Sequence, residues 1–578
     1  MPSLNWIGKD KVLNHHNEVP YRVLDKKYSY GDENAENMII HGDNLEALKA
    51  LLPKYEGKIK CIYIDPPYNT GNEGWVYNDN VNDLKIKKWL GEVVGKEGDD
   101  LSRHDKWLCM MYPRLRLLQK LLADDGVIFI SIDDNELFNL KLVCDEIFGA
   151  NCFVSNISWQ RTYSTRNDSK GIVNEVEHII VYSKITNWKP NKLPRTEKMN
   201  SIYKNPDGDD QVWTSDNPFA PGASTHQGMV YAIQHPFTGK MIYPANGRCW
   251  TFSQDQMLDF MNEWCPYKLA DIDDAERRAV VCGVATDEIR EGVLAIVLEK
   301  SVEESAMAAK AVYDRGRWPK FYFTSGGKGG IRRKTYLNNV GGKLPTNFWP
   351  YSETGHTDEA KKEILSLFEG RAKFDTPKPT RLIERVLQIA TDEDSIILDS
   401  FAGSGTTAHA VLNANKADGG NRRFILIEME NYADTITAER VKRVINGYGE
   451  GKKAIEGTGG GFGYYELGEK LLVDNEYLNP DIDTDKIREY IWYMETRSGY
   501  EKQDTGDNEY FLGINNDTAY YFNYEKECQT VLDTDFLRTI RTKADAYVIY
   551  ADTCNLSDEK MSKYNITFKK IPRDIVRL

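Results

Sequence analysis

A chain of 578 residues, 41% hydrophobic and 28% charged, is too long for a single core and should form about three or four domains. Its net charge of −14, from 74 basic and 88 acidic residues, excludes a protein that is basic all over, so any nucleic-acid contact has to come from a local basic surface. Nine cysteines without a Cys-x-x-Cys pair indicate neither a zinc site nor a disulfide framework and fit a reducing, cytoplasmic setting. No apolar run is long enough to span a membrane, and the opening Met-Pro-Ser-Leu-Asn-Trp does not read as a signal peptide.

Residues 1–36 are polar with no clear period and are expected to form an arm, with His15-His16 solvated rather than binding a metal. Met38 to Asn44 reads as a short strand and turn, and Leu45 to Leu52 as a helix capped by Asp43 or Asn44. Cys61-Ile62-Tyr63-Ile64 follows as a buried strand, so the unit is β-α-β and its sheet parallel. That strand runs into Asp65-Pro66-Pro67-Tyr68. Open α/β sheets place their ligand crevice at the carboxyl ends of strands, which is where Asp65 falls. Two prolines stiffen the loop and remove two backbone donors. A carboxylate on Asp65, the Pro66 carbonyl and the flat ring of Tyr68 together suit an exocyclic amino group on a planar base: the two oxygens take its N–H groups and the ring stacks.

A polar segment reaches to about residue 103, includes Trp75 and Tyr77, and is long enough to predict a functional loop. Trp107 to Leu122 is predicted helical, Val127 to Ile132 a buried strand ending in Asp133-Asp134, and 135–148 a helix; strands are expected near 157–159 and 178–182. The α/β rhythm then stops from about 185 to 370. Between Arg315 and Lys343 lie eight basic residues and no acidic one, among them Arg315, Arg317, Lys328, Arg332, Arg333 and Lys334. Trp318, Phe321, Tyr322, Phe323 and Tyr336 are interleaved with them, and contact with a nucleic-acid backbone is the favoured explanation over a solvated loop face.

The sheet pattern resumes at 381. Ser395 to Asp399 is a predicted strand, followed by Ser400-Phe401-Ala402-Gly403-Ser404-Gly405-Thr406-Thr407 and a helix. Strand–Asp-x-Phe-x-Gly-x-Gly–helix is a Rossmann-like nucleoside-binding turn, and Glu428, 23 residues beyond Gly405 at the end of the next strand, stands where an acidic residue accepts the hydroxyls of a ribose. NAD is a competitor, but the turn lacks a third glycine in phase. A Gly-rich joint near 457–463 leads to residues 464–578, an α+β unit without a chemical motif.

Asp-Pro-Pro-Tyr first, a long insertion, then Phe-x-Gly-x-Gly resembles the β-class S-adenosylmethionine-dependent amino-methyltransferases of DNA. The wider stretches DPPYNTGNEGWVYNDN (65–80), LDSFAGSGTTAHAV (398–411), ERVKRV (439–444) and FKKIPRDI (568–575) resemble the Mod subunits of type III restriction–modification systems. The likeness covers most of the chain and is weakest in the middle. It implies a Rossmann-like, seven-stranded methyltransferase sheet built from residues 37–185 and 371–450, with a target-recognition domain inserted at 186–370 and a C-terminal α+β domain at 464–578. It implies catalytic roles for Asp65, Pro66 and Tyr68, with Pro67 fixing the loop. Cofactor contacts would come from Asp399, Phe401, Gly403, Gly405, Thr406 and Glu428, from Thr376 and Lys378 near the methionine end, and from Asp43 and Asn44 beside the adenine ring. The reading that results is methyl transfer from S-adenosylmethionine to N6 of adenine in double-stranded DNA, without a metal, by a homodimer that works with a restriction subunit. Cytosine N4 is an alternative, although Ser at the first motif position is more usual there, and so is a subunit that mainly directs a nuclease partner.

Overall fold

The computed structural model describes residues 4–70, 88, 92, 103–163, 171–371, 373–451, 454–473, 477–501, 506–572 and 574–575. The polar segment with Trp75 and Tyr77 lies outside the described residues apart from its ends and residues 88 and 92. Ten strands make the central sheet among the described residues. In chain order these are β1 (Arg22–Gly31), β2 (Met38–His41), β3 (Ile59–Ile64), β4 (Leu122–Ile132), β5 (Phe153–Gln160), β6 (Val176–Ser183), β7 (Phe348–Trp349), β8 (Ile396–Asp399), β9 (Arg423–Glu428) and β10 (Gly461–Lys470). Their order across the sheet is β1-β10-β2-β9-β8-β3-β4-β6-β5-β7.

The run of Cys61, Ile62, Tyr63 and Ile64 forms the middle of this sheet because it is apolar on both faces, as a strand covered on both sides must be. β3 pairs in parallel with β8 (Ile397 with Cys61, Leu398 with Ile62) and with β4 (Ile62 with Ile128). β6 alone runs antiparallel within the seven-strand stretch from β2 to β5. The expected seven strands are therefore present and contiguous, but the sheet is wider by β1 and β10 on one edge and β7 on the other. The extra edge was hidden because Asp25, Lys26 and Lys27 are exposed in succession in the middle of β1 and break its alternation. β10 begins in the glycine-rich joint. A Cβ at Gly461 would come within 2.4 Å of the Asp32 backbone nitrogen, so glycine is what lets the strand close on β1.

Around the sheet lie α1 (Asn44–Tyr55), capped by the Asp43 carboxylate, which accepts from the Leu45 and Glu46 amides at 2.8 and 3.3 Å, and α2 (Arg103–Leu121). Trp107, Leu108, Met111, Leu115 and Leu118 of α2 are buried, while Leu122, expected to end this helix, already belongs to β4. The N-terminal arm is packed rather than solvated. Trp6, Val12, Val19 and Tyr21 join the same core, and His16 is buried enough that desolvation pushes its pKa down to about 4. No helix among the described residues is long and apolar enough to cross a membrane.

The chain divides into two compact units, Met1–Asn191 with Leu344–Leu578, and Lys192–Lys343. The inserted unit is thus narrower than the sequence suggested, because Phe348–Trp349 joins the central sheet beside β5. It has its own core of Trp213, Tyr231, Trp250, Trp264, Phe321 and Phe323. Phe321, Tyr322 and Phe323 of the basic stretch are buried there, so these aromatics pack internally and do not offer stacking surfaces. The C-terminal stretch does not stand apart either. Residues 461–470 are β10, and the helix Thr484–Thr496 places Tyr490, Ile491 and Tyr493 in one core cluster with Leu48, Leu51 and Tyr55 of α1. Only the four-stranded sheet beyond it, with Phe511, Tyr521 and Ile549, keeps a cluster of its own.

A chain ended at residue 456 would lack β10 and expose the apolar faces that Phe462, Tyr464 and Ile491 cover. It is expected to lose its cooperative thermal transition by circular dichroism; a sharp transition in the shortened chain would show that β10 is dispensable.

Candidate active site

Asp65 is the first residue past β3 at the carboxyl edge of the sheet. The loop behind it is clamped from two sides. The Pro67 carbonyl accepts from Trp107 Nε1 at 2.7 Å, and Asn69, in the left-handed region at φ 58°, donates to the fully buried Glu136. Glu136 also bonds His104 Nδ1 at 2.7 Å and Asn139 Nδ2 at 2.8 Å, which leaves the Asp-Pro-Pro-Tyr loop little freedom.

In front of the loop is a closed set of polar contacts. Tyr68 Oη donates to Asp65 Oδ1 at 2.8 Å and reaches Glu177 Oε2 at 3.2 Å. Lys378 Nζ donates to both Asp65 oxygens and to Tyr68 Oη, each at 2.8 Å, and sits 3.5 Å from Glu177 Oε2. Arg161 Nη1 binds the other Glu177 oxygen at 2.9 Å. Burial works against the Lys378 ammonium, but Asp65 and Glu177 outweigh it and hold its pKa above the ordinary lysine value. Burial raises the Glu177 carboxyl as well, and there Lys378 and Arg161 win and keep it below the usual range. For Asp65 burial prevails over Lys378, and its carboxyl lies above the usual range.

The second half of the site comes from the adjacent strand. β8 ends at Asp399, whose carboxylate accepts from the Phe401 amide at 3.0 Å and from Thr407 Oγ1 at 2.6 Å. The turn reaches the helix Thr406–Asp418 through Gly403 (φ 52°) and Gly405 (φ 82°). At Gly405 the left-handed backbone favours glycine, and an added Cβ would also crowd the Thr437 carbonyl at 3.2 Å. Buried Arg440 braces the turn from behind, donating to Ser404 Oγ and Thr406 Oγ1 at 2.8 Å. At the end of β9, Glu428 accepts from the Gly403 and Glu430 amides at 2.7 and 3.0 Å. Desolvation pushes Asp399 up to about 7 and Glu428 up to about 8, and among the described residues neither forms an ion pair with a cation.

The two halves share one cavity of about 310 Å³. Of the residues expected from the sequence, Asp65, Pro66, Tyr68, Thr376, Lys378, Asp399, Phe401, Gly403 and Thr406 line it. Gly405, Glu428 and Pro67 are not among its lining residues; Glu428 accepts from the amide of Gly403, which is, and the Pro67 carbonyl accepts from Trp107 Nε1. Asp43 and Asn44 stand one strand away: Asp43 caps α1, and Asn44 donates to the Ser400 carbonyl at 3.3 Å. Glu177, Arg161, Asp133 and Tyr63 also line the cavity and carried no motif. Lys378, expected near a cofactor's methionine end, lies in this cavity with its ammonium on Asp65. A larger groove of about 870 Å³ lies at the opposite, amino-terminal edge of β3 and β8, among Lys60, Asp125, Asp392 and Arg422, and holds none of these residues.

Of the basic residues of the inserted unit, Lys334 is fully buried, with its ammonium on Asp207 and Asp209 at 2.5 and 2.7 Å. Arg333 pairs with Asp216, and Arg317 with Asp210 at 2.8 Å. Lys334 is therefore a core ion pair and cannot meet a phosphate; Arg315, Lys328 and Arg332 are exposed.

The profile of a family described as DNA methylase matches residues 59–439, a span that holds both halves of the cavity. The chain belongs to the DNA methylase family. It is 32% identical over 475 residues to the type III restriction-modification enzyme StyLTI Mod subunit of Salmonella typhimurium, covering 76% of this chain and 62% of that protein. The EcoPI Mod subunit of Escherichia phage P1 is 30% identical over 503 residues (78% and 66%), and the EcoP15I Mod subunit of Escherichia coli 32% over 460 (74% and 64%). The chain spans less than two thirds of the length of each of these relatives.

Because the Glu428 pKa is raised on folding, its contribution to stability is complete below the unfolded value of about 4.3 and is lost as pH rises through about 8. Glu428→Gln keeps an oxygen for the Gly403 amide and cannot ionise. Urea midpoints should therefore fall less between about pH 5 and pH 9 in the variant than in the wild type; parallel pH profiles would mean that Glu428 is solvated.

Proposed function

We propose that the chain is a site-specific DNA methyltransferase that moves a methyl group from S-adenosylmethionine to N6 of adenine in duplex DNA. In this reading it is the modification and recognition subunit of a type III restriction–modification system. The observation that carries the proposal is the meeting of Asp65, Pro66 and Tyr68 with the Asp399–Thr406 turn in one cavity. The relatives named as Mod subunits support the wider role.

The residues fit the cofactor. The turn exposes backbone where two glycines remove side chains, and Glu428 is a buried carboxyl group that accepts from two backbone amides and is of the acceptor type that ribose hydroxyls need. The bound cofactor supplies an electrophilic methyl group. Asp65 and the Pro66 carbonyl accept the two N–H groups of the target amine and draw its lone pair out of conjugation, towards that methyl. Tyr68 stacks on the ring, and such stacking is worth ~1–3 kcal/mol against an extrusion cost of a few kcal/mol. The departing proton passes to Asp65, which burial makes a better acceptor than an exposed aspartate. The acceleration is positional and electrostatic. Asp rather than Ser at position 65 favours adenine over cytosine.

The inserted unit 192–343 is assigned to target recognition, with Arg315, Lys328 and Arg332 on phosphates. Homodimerisation, in part through the C-terminal stretch, and a nuclease subunit as partner complete the reading.

Asp65→Ala should abolish methyl transfer, followed with tritiated cofactor, while cofactor affinity by calorimetry stays near the wild-type value. Turnover retained in that variant would remove the assignment. Separately, Lys328→Ala with Arg332→Ala should lower the salt dependence of DNA binding by about one unit of slope per lost phosphate contact. An unchanged slope would place both residues away from the duplex.

A further inference from the structure

The contact set in front of the Asp-Pro-Pro-Tyr loop has a feature that the mechanism leaves unused. Lys378 Nζ lies 2.8 Å from each Asp65 oxygen and from Tyr68 Oη, and 4.9 Å from the centre of the Tyr68 ring. A nitrogen with N–H donors therefore already occupies Asp65, one of the two acceptors assigned to the target amine, and it lies beside the hydroxyl of the ring assigned to the target base. Two anions share this cation: Glu177 Oε2 is 3.5 Å away on the other side, and Arg161 on Oε1 fixes the orientation of Glu177.

We propose that Lys378 is a built-in stand-in for the target amine, which an extruded base displaces from Asp65 onto Glu177. The inference rests on the methyltransferase reading above and assigns Glu177 as a positioning residue. The exchange leaves no buried charge without a partner: the base's N–H groups take over on Asp65, and the ammonium keeps Glu177. It also selects for chemistry. A base edge that presents only a carbonyl towards Asp65 has no donor to replace the ammonium, so only an exocyclic amine releases it.

The test uses the full chain without cofactor. The methylated adenine is first located by sequencing DNA treated with the wild-type protein. A duplex with 2-aminopurine stacked next to that adenine then reports its departure from the stack as a rise in fluorescence. Removing the competitor in Lys378→Met should tighten this response about tenfold, while affinity for a duplex with an abasic site at the target position stays unchanged. Lys378→Gln, measured in parallel as a guard against a folding defect, should fall between the two. Glu177→Gln should weaken the response relative to wild type, because the ammonium loses its second seat. The double variant should match Lys378→Met alone. A Lys378→Met response equal to or weaker than wild type would overturn the proposal, as would Glu177→Gln acting equally in both backgrounds. A wild-type chain that methylates no DNA would instead remove the underlying reading, which is a separate outcome.

Discussion

The site depends on one constraint, the parallel pairing of two short strands separated by more than 330 residues of chain. Leu398 beside Ile62 in register puts Asp399 and Asp65 at the same edge of the sheet. Neither strand is long, and each is held by the partner on its other side, β4 for residues 59–64 and β9 for residues 396–399. A slip of one residue between them would turn every side chain to the opposite face and separate the two loops. The burial of Ile62, Ile397 and Leu398 makes such a slip costly.

That arrangement concentrates negative charge. Asp65, Asp399 and Glu428 end three neighbouring parallel strands, all largely removed from water. The fold answers differently at each. Asp65 receives a lysine, while Asp399 and Glu428 receive only N–H and O–H donors and are shifted towards neutrality. A carboxyl group kept near neutral and open on one side is ready for a ligand that brings hydroxyl or amine donors, whereas one already matched to a cation must exchange that cation first.

How much of this could be read from the sequence depends on the distance over which each residue finds its partner. The Asp65–Tyr68 loop and the 399–405 turn are local: glycines, prolines and a strand end fix their shape within a few residues, and both were legible. The seven-strand core followed from the same β-α-β rhythm. Glu177 was not legible, because it reaches the cavity through the register of an antiparallel strand 109 residues beyond Tyr68. The pairing of Lys378 with Asp65 was not legible either, since nothing near Lys378 in sequence announces a residue 313 positions earlier. Lys334 looked like an open base because its acidic partners lie 125 and 127 residues upstream. Phe321, Tyr322 and Phe323 beside it belong to the core of the inserted unit, where they pack with Trp213, Tyr231, Trp250 and Trp264. β1 was missed for the opposite reason: an edge strand lined with lysines has no periodicity to detect.

The position of β10 between β1 and β2 bears on how the chain is made. The first two strands leave the ribosome early, but the strand that joins them lies at residues 461–470. At roughly 5–20 residues per second, synthesis takes on the order of half a minute to supply it. Through that interval the apolar edge of β2 has neither of its final neighbours, because β9 is also encoded late. Nascent chains halted in this window would carry an open, hydrophobic strand edge of the kind that chaperones hold and that aggregates recruit. Sheet closure here waits for about 420 residues of chain beyond β2, and the yield of folded protein should depend on how well that waiting edge is shielded in the cell.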